Sequence, residues 1–291
     1  MHKGLLIYNP EDYEKNKWFV HELLQKAANH NLSLTLVLRD QLILSTDDKK
    51  GLVAFHKTHT LLPLMDLDFV INRTRDSLIA THFEKMGCKV FNNSTVTEIC
   101  NHKGKTHQLI NSQGISSVKT LLSNVHYFHP AHLPFSYPVI LKSVNGHGGS
   151  EVYLIENETD LMTKLAHLPT EDFVLQELCT NPGNDIRVFA LGGKIIAAVK
   201  RFCSSSFKSN YSLGGSATAY QLKPHEVKLV EHILSLLPFD FVGIDFILDQ
   251  EGNLIFNEIE DVVGTRTLYL NYPDIDIVDQ FLCYINSSLA L

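Results

Sequence analysis

Short apolar runs alternate with longer amphipathic stretches through the first third of the chain. GLLIY is followed by KNKWFVHELLQKAANH, then by SLTLVL, DFVIN, a second helical stretch around SLIATHFEKMG, and KVFN. Strand-like runs alternating with helix-like ones predict a parallel α/β layer, taken as a first unit over residues 1–95. No GxGxxG follows the first strand, so a dinucleotide site there has no support. Residues 96–170 read as a smaller unit, with a helix near KGKTHQLINSQG, strands PVILKSV and EVYLIEN, and a helix TDLMTKLAHL. Residues 171–291 are richer in strands: DFVLQEL, DIRVFAL, KIIAAVKRF, FVGIDFIL and NLIFNEIE, with one helix through HEVKLVEHILSLL. Gly192-Gly193 between two apolar runs is a hairpin signal. The fold class is therefore α/β, with an α+β C-terminal part.

Composition narrows the function classes. A chain of 291 residues with 44% hydrophobic and 20% charged residues is an ordinary globular sequence, long enough for a substantial core. A net charge of −7 gives no general electrostatic reason to bind nucleic acid or an anionic membrane. No apolar stretch approaches the length of a membrane span and no signal core opens the chain, so a cytoplasmic location is expected. The five cysteines never form CxxC and read as buried thiols rather than disulfides or zinc ligands. His126, His129 and His132 recur at intervals of three, but Pro130 places them in a loop rather than on a metal-binding helix face.

The strongest chemical signal is FVGIDFILDQEGNLIFNEIE. If Gln250 to Asn253 connect two antiparallel strands, Asp249 faces Leu254 and Asp245 falls opposite Glu258. Asp245, Glu258 and Glu260 then share one sheet face, where cross-strand neighbours lie roughly 5 Å apart. Bare carboxylates so close repel one another, and a hard divalent cation resolves this: Mg²⁺ is commonly held by one or two carboxylates plus substrate phosphates. A solvated polar sheet face is the alternative.

Three further features point to phosphate. KSVNGHGGS places Lys142 at a strand end before a loop whose Gly146, Gly148 and Gly149 let backbone N–H groups approach an anion, without being a Walker A loop. Lys103 precedes a helix of the same unit. Asp185, Arg187, Lys200 and Arg201 surround the next hairpin, followed by Lys208, Ser209 and Asn210, and cations at strand ends suit charge that develops in phosphoryl transfer.

In order, NHKGKTHQLINSQGI, PVILKSVNGHGGSEV, FVLQELCTNPGNDIRVFALGGKIIAAVKRF, FKSNYSLGGSA and FVGIDFI followed by FNEIE resemble the ATP-grasp superfamily, most closely its RimK-type carboxylate–amine ligases. The resemblance spans about residues 101–264 and makes residues 1–95 a pre-ATP-grasp domain, matched by pattern only, with Arg73 of INRTRD in a segment resembling one that faces the active site. It implies that Lys103 and Lys142 contact ATP phosphates under the loop from Gly146 to Gly149, and that Gln176, Glu177 and Leu178 form the adenine hinge. Asp185 falls where the family holds the nucleotide sugar, Arg187 and Arg201 line the phosphate and acceptor side, and Lys208 and Asn210 lie in the family's Arg-Ser-Asn segment. Asp245, Glu258 and Glu260 fall on the metal positions. Glu260 stands where the family usually has Asn, Glu151 replaces a glycine ending the phosphate loop, and Val262-Val263-Gly264 replaces Ser-Pro-Gly. Arg266 in the altered loop is a candidate anchor for a substrate carboxylate.

The expected activity is ATP-dependent ligation of a small-molecule or peptide carboxylate to an amine through an acyl phosphate, with Mg²⁺, or Mn²⁺ in its place, as cofactor. A homo-oligomer is compatible with this. The alternatives are a kinase on the same fold and a nucleotide-binding module without turnover.

Overall fold

The structure is a computed structural model describing residues 1–48, 51–57, 61–149, 151–179, 181–203 and 216–290, with only the backbone described over 61–63. In chain order the elements are β1 (His2–Tyr8), α1 (Pro10–Lys26), β2 (Leu32–Leu38), β3 (Leu42–Asp47), β4 (Gly51–Lys57), β5 (Leu61–Pro63), β6 (Phe69–Arg73), α2 (Ser77–Lys85) and β7 (Lys89–Phe91). Next come α3 (Ser94–Cys100), α4 (Lys103–Ser112), β8 (Thr120–Asn124), β9 (Val139–Ser143), β10 (Val152–Ile155), α5 (Glu158–Leu165) and β11 (Asp172–Glu177). The last are β12 (Asn184–Leu191), β13 (Lys194–Phe202), β14 (Ser216–Tyr220), α6 (Pro224–Leu234), β15 (Phe241–Leu248), β16 (Leu254–Glu260), α7 (Arg266–Asn271) and α8 (Ile277–Leu289).

The first sheet is parallel, ordered β2-β1-β6-β7. Buried on both faces, β1 and β6 carry unbroken apolar runs in place of alternation: Leu5 to Tyr8 and Phe69 to Ile71 are all buried. The chain passes from β1 to β2 on one side and later returns to β6 on the other side of β1, so a crevice opens at the carboxyl ends of β1 and β6. There Arg73 donates from Nε to the Tyr8 hydroxyl at 3.2 Å and from a terminal nitrogen to the Val263 carbonyl at 2.8 Å. A three-stranded sheet, β3-β4-β5, branches off this unit; its short runs carry no signal strong enough to have been read as strands.

The second sheet, β10-β9-β11-β8, is antiparallel and packs on α5. Its strand Asp172–Glu177 lies beyond the boundary at 170/171 read from the sequence. That strand hydrogen-bonds to β9 and β8, so the second unit extends to Glu177.

The third sheet, β14-β13-β12-β15-β16, is antiparallel yet buried on both faces. Ile186, Val188 and Ala190 face α3, α4 and α6, whereas Phe189 and Leu191 face the N-terminal unit and α8. This second face turns from apolar to ionic along each strand. Phe189 gives way to Arg187 and Asp185, Val199 to Arg201, and Phe241 to Gly243 and Asp245, two residues at a time. Gly243 has no room for a side chain, since a Cβ there would stand 2.6 Å from the Val263 methyl. The apolar half is core; the ionic half is the floor of a cleft.

Buried Asn92 ties the first unit to the third. Its Nδ2 donates to the Phe241 carbonyl at 2.9 Å and to Asp261 Oδ1 at 2.5 Å, and its Oδ1 accepts the Asp240 and Phe241 amides at 2.7 and 3.1 Å. Asn92→Ala strands several of these buried groups, so it is expected to lower stability by about 2–3 kcal/mol, read as a lower urea midpoint.

Candidate functional site

All three units line one cleft of about 760 Å³. Its floor is built by strand register. Arg201 lies directly opposite Asp185, Arg187 opposite Asp245, and Asp245 opposite Glu258. The guanidinium of Arg187 grips Asp245 with two hydrogen bonds, 2.8 and 2.7 Å, and also reaches Glu260 Oε1 at 2.7 Å. Arg201 grips Asp185 with two bonds of 2.6 Å and adds a third contact, 2.7 Å, to Asp245 Oδ2. Asp185, Arg187, Arg201 and Asp245 are all buried. Burial opposes charge on Asp245, yet the two arginines hold its carboxyl below the usual carboxylate range. Burial, together with Asp245 and Glu258, pushes Glu260 the other way against the pull of Arg187.

Asp245, Glu258 and Glu260 offer carboxylate oxygens that all lie within 4.8 Å of one another. Their pairing was anticipated, but the route differs. The loop is one residue longer than the sequence count assumed: Leu248 pairs with Leu254, not Asp249 with Leu254. A β-bulge between Asp245 and Phe246 leaves Asn257 as an extra residue on β16, and this restores Asp245 to Glu258. The bulge also turns both Asn257 and Glu258 toward the cleft. An all-oxygen, carboxylate-rich set of this size suits a hard divalent cation such as Mg²⁺, which takes oxygen ligands at about 2.0–2.1 Å and keeps waters in its remaining positions.

Above this floor hangs the glycine loop after β9. Lys142 donates to Asn257 Oδ1 at 3.2 Å, and burial pushes its ammonium down to about 8 against the attraction of Glu258. Lys103, at the start of α4, receives its place from its own amide, which donates to the Val144 carbonyl at 2.9 Å, while its ammonium hydrogen-bonds the Gly146 carbonyl. Gly148 and Gly149 adopt φ of 63° and 78°, backbone open to glycine and unfavourable to most other residues. Glu151 packs across the loop at Gly146, where a Cβ would meet its carboxylate at 2.9 Å.

The back wall is the end of β11. Gln176 is buried, with Nε2 2.8 Å from His107 Nε2 and 2.9 Å from Thr120 Oγ1. A donating Gln176 amide makes His107 Nε2 the acceptor, and burial lowers the His107 imidazole to about 4, keeping it neutral. Glu177 is exposed and pairs with Lys119 at 3.1 Å; it and Leu178 line the cleft. The sequence reading missed His107, although it sits four residues after Lys103 on α4 and so shares its face. It also missed Asn257, whose orientation depends on the bulge. Arg266, at the start of α7, is exposed and lines the cleft with Arg73 and Arg75. Lys208 and Asn210 lie outside the described residues. His129 caps a single 3-10 turn, Pro130–His132, and its ring centroid lies 5.6 Å from that of His132; neither is among the cleft residues. Cys88, Cys100 and Cys203 are buried, Cys179 is half-buried and Cys283 is exposed. No helix among the described residues is long and apolar enough to cross a membrane.

The model of the RimK-like ATP-grasp domain matches residues 100–285. Human N-acetylaspartylglutamate synthase A is 28% identical over 268 residues, covering 87% of this chain and 68% of the human protein. The crystal structure of a RimK domain ATP-grasp protein from Sphaerobacter thermophilus superposes with a TM-score of 0.73 at 15% identity, covering 97% of this chain and 99% of that one. The ATP-grasp ligase PsnB, complexed with a precursor variant, Mg and ADP, superposes with a TM-score of 0.66 at 15% identity, covering 100% and 99%. The chain belongs to the RimK-like ATP-grasp family and is an ATP-dependent ligase of the carboxylate–amine type.

Proposed function

We propose that the cleft binds Mg²⁺ and ATP and joins a carboxylate to an amine through an acyl phosphate. The observation that carries this is the stacking of the Lys103–Lys142 glycine loop over the floor of Asp245, Glu258, Glu260, Arg187 and Arg201 in one cavity. In this reading Lys103 and Lys142 hold the phosphates from above, with loop N–H groups supplying further donors. Glu177 and Leu178 present backbone to the adenine, and Gln176, held by His107 and Thr120, fixes the strand that carries them. Asp245, Glu258 and Glu260 would hold Mg²⁺, which would supply charge neutralisation and orientation for the phosphoryl oxygens.

A substrate carboxylate oxygen attacks the γ-phosphorus and the bond to ADP breaks. The amine nitrogen then attacks the acyl carbon, expelling phosphate and losing a proton, which leaves an amide. Arg187 and Arg201 cannot swing freely, since each is clamped between carboxylates; they act as fixed positive charge beneath the transferring group. The second sheet with its loop acts as the cover that keeps water from the acyl phosphate. The same three carboxylates would also accept Mn²⁺, another cation suited to oxygen ligands.

Three outcomes test this reading. Hydroxylamine added with MgATP and the acid substrate is expected to yield a hydroxamate, detected by mass spectrometry; a stable phosphate ester in its place would identify a kinase. Asp245→Asn removes the charge shared by both arginines and a metal ligand, and is expected to cut ADP formation at least about 100-fold. The third outcome concerns pH. The Lys142 ammonium is the form that binds phosphate, so with a value of about 8 its charge is present below that pH and lost above it. MgATP affinity should therefore fall as pH rises through about 8. Phosphate raises the lysine's proton affinity, so binding near that pH should take up protons, visible in calorimetry as a dependence on buffer ionisation enthalpy. Lys142→Met should abolish that uptake.

A further inference from the structure

A second recess, of about 560 Å³, lies where α2, β7, the turn between β12 and β13, the end of α6 and α8 meet, and it shares no lining residue with the cleft. That volume falls in the range of small-molecule sites. Val90, Leu234, Leu237 and Phe239 give it an apolar wall, and Asp240 sets a carboxylate beside them.

Asp240 is 8% exposed and held from several sides. Its amide donates to Asn92 Oδ1 at 2.7 Å, its carbonyl accepts the Gly192 amide at 2.6 Å, and its Oδ1 accepts the Tyr284 hydroxyl at 2.6 Å. Tyr284 reaches that position over Gly192, where a Cβ would stand 2.6 Å from its ring. Among the described residues Asp240 Oδ2 has no hydrogen-bond partner, and unlike the sealed hydroxyls of Tyr137 and Tyr269 it is open to the recess. A carboxylate oxygen taken out of bulk water without a donor is costly, so the recess calls for one.

The other charged groups lining the recess already have partners. The Ser94 amide and hydroxyl donate to Glu84 at 2.6 and 2.5 Å, and the Lys89 ammonium donates to the Ser288 carbonyl at 2.7 Å. These two charges are opposite in sign, which leaves ionised Asp240 as the net charge. Two helices also end here, with Glu84 in the last turn of α2 and Leu234 at the end of α6, and the C-terminal end of a helix favours a cation. An anionic ligand would meet Asp240 and Glu84 together, and a purely apolar one would leave Oδ2 without a donor. A positive donor group on a short apolar body satisfies both walls.

We propose that this recess is a second ligand site, taking a small primary amine whose ammonium donates to Asp240 Oδ2 and whose apolar body lies on Leu237 and Phe239. The site is distinct from the cleft and stands apart from the ligase reading. It adjoins the joint between the first and third units, since Asn92 binds the Asp240 amide on one side and Asp261, next to Glu260, on the other.

The groups facing Asp240 set the pH dependence. Burial pushes its carboxyl up to about 7 and Asp261, after β16, adds to this, whereas the Tyr284 hydroxyl of α8 and the Lys89 ammonium of β7 pull it down. Glu84 of α2 completes the charged lining. The carboxyl is neutral below that pH and ionised above it, so an ammonium should bind more tightly as pH rises through about 7.

Calorimetry of the full chain with 2-phenylethylamine as the probe tests this. Saturable binding is expected, tightening by about tenfold from pH 6 to pH 8, with 2-phenylethanol and 3-phenylpropanoate at least about tenfold weaker at pH 8. Asp240→Asn, which keeps the shape and removes the charge, and Leu237→Trp, which fills the recess from a half-buried turn position, should each weaken the amine at least about tenfold. Should Asp240→Asn lose its cooperative urea transition, Leu237→Trp decides alone. Absence of saturable binding, equal affinity for the alcohol, affinity that is flat or falls with rising pH, or amine binding unchanged by the folded variants would overturn the proposal; the last result would place the amine elsewhere, as in the cleft.

Discussion

Two buried arginines held by three carboxylates, Asp185, Asp245 and Glu260, are the constraint around which the rest is arranged. Removing charges from water costs several kcal/mol per ion, and only close, fully hydrogen-bonded pairing offsets it. Arg187 and Arg201 meet that demand with paired bonds to Asp245 and Asp185 at 2.6–2.8 Å. Each pair sits directly across adjacent strands, so the ion pairs require the register of β13, β12 and β15 and the register requires them. Asp245 is claimed by both arginines and Glu260 by Arg187, which leaves Glu258 as the acid of the three with most freedom to take another cation.

That ionic floor exists because the third sheet is asked to do two things with one face. Toward the N-terminal unit the face is apolar and packs with Leu6, Tyr8 and Phe19; beyond Gly243 it becomes charged and stays open. The N-terminal unit therefore serves as both packing partner and cleft wall. Arg73 and Asn92 join it to the loop after β16, through Val263 and Asp261, on the chain segment that immediately follows Glu260. Any shift of that unit is carried to the end of the strand bearing the acids.

The departures from the family's pattern have physical counterparts. Glu260, in place of the usual Asn, is bound by Arg187 at 2.7 Å, so the added charge has a partner within the protein. Val263, where the family has Pro, fills the space left by Gly243 and gives its carbonyl to Arg73. Glu151 lies against Gly146 on the loop proposed to cover the phosphates, and no cation is paired with it among the ion pairs of the described residues.

The chain's own periodicity determined the parallel N-terminal layer and the hairpin bearing three acids, because side-chain alternation and helical spacing are local properties. Pairing of Asp245 with Glu258 was readable to that extent, although the loop was counted one residue short and the bulge at Asn257 made up the difference. What the sequence could not supply depends on distance through space. The three-stranded branch and the helices α3, α7 and α8 have short or mixed patterns whose apolar faces acquire meaning only from what they pack against. The allegiance of Asp172–Glu177 was settled by hydrogen bonds to strands dozens of residues earlier. His107 lies one helical turn from Lys103, but only folding set it against Gln176. Most of all, the fold makes the cleft-lining Arg187 and Arg201 the counter-charges of its acids as well, because electrostatic compensation is decided by which groups share a low-dielectric space and not by which are near in the chain.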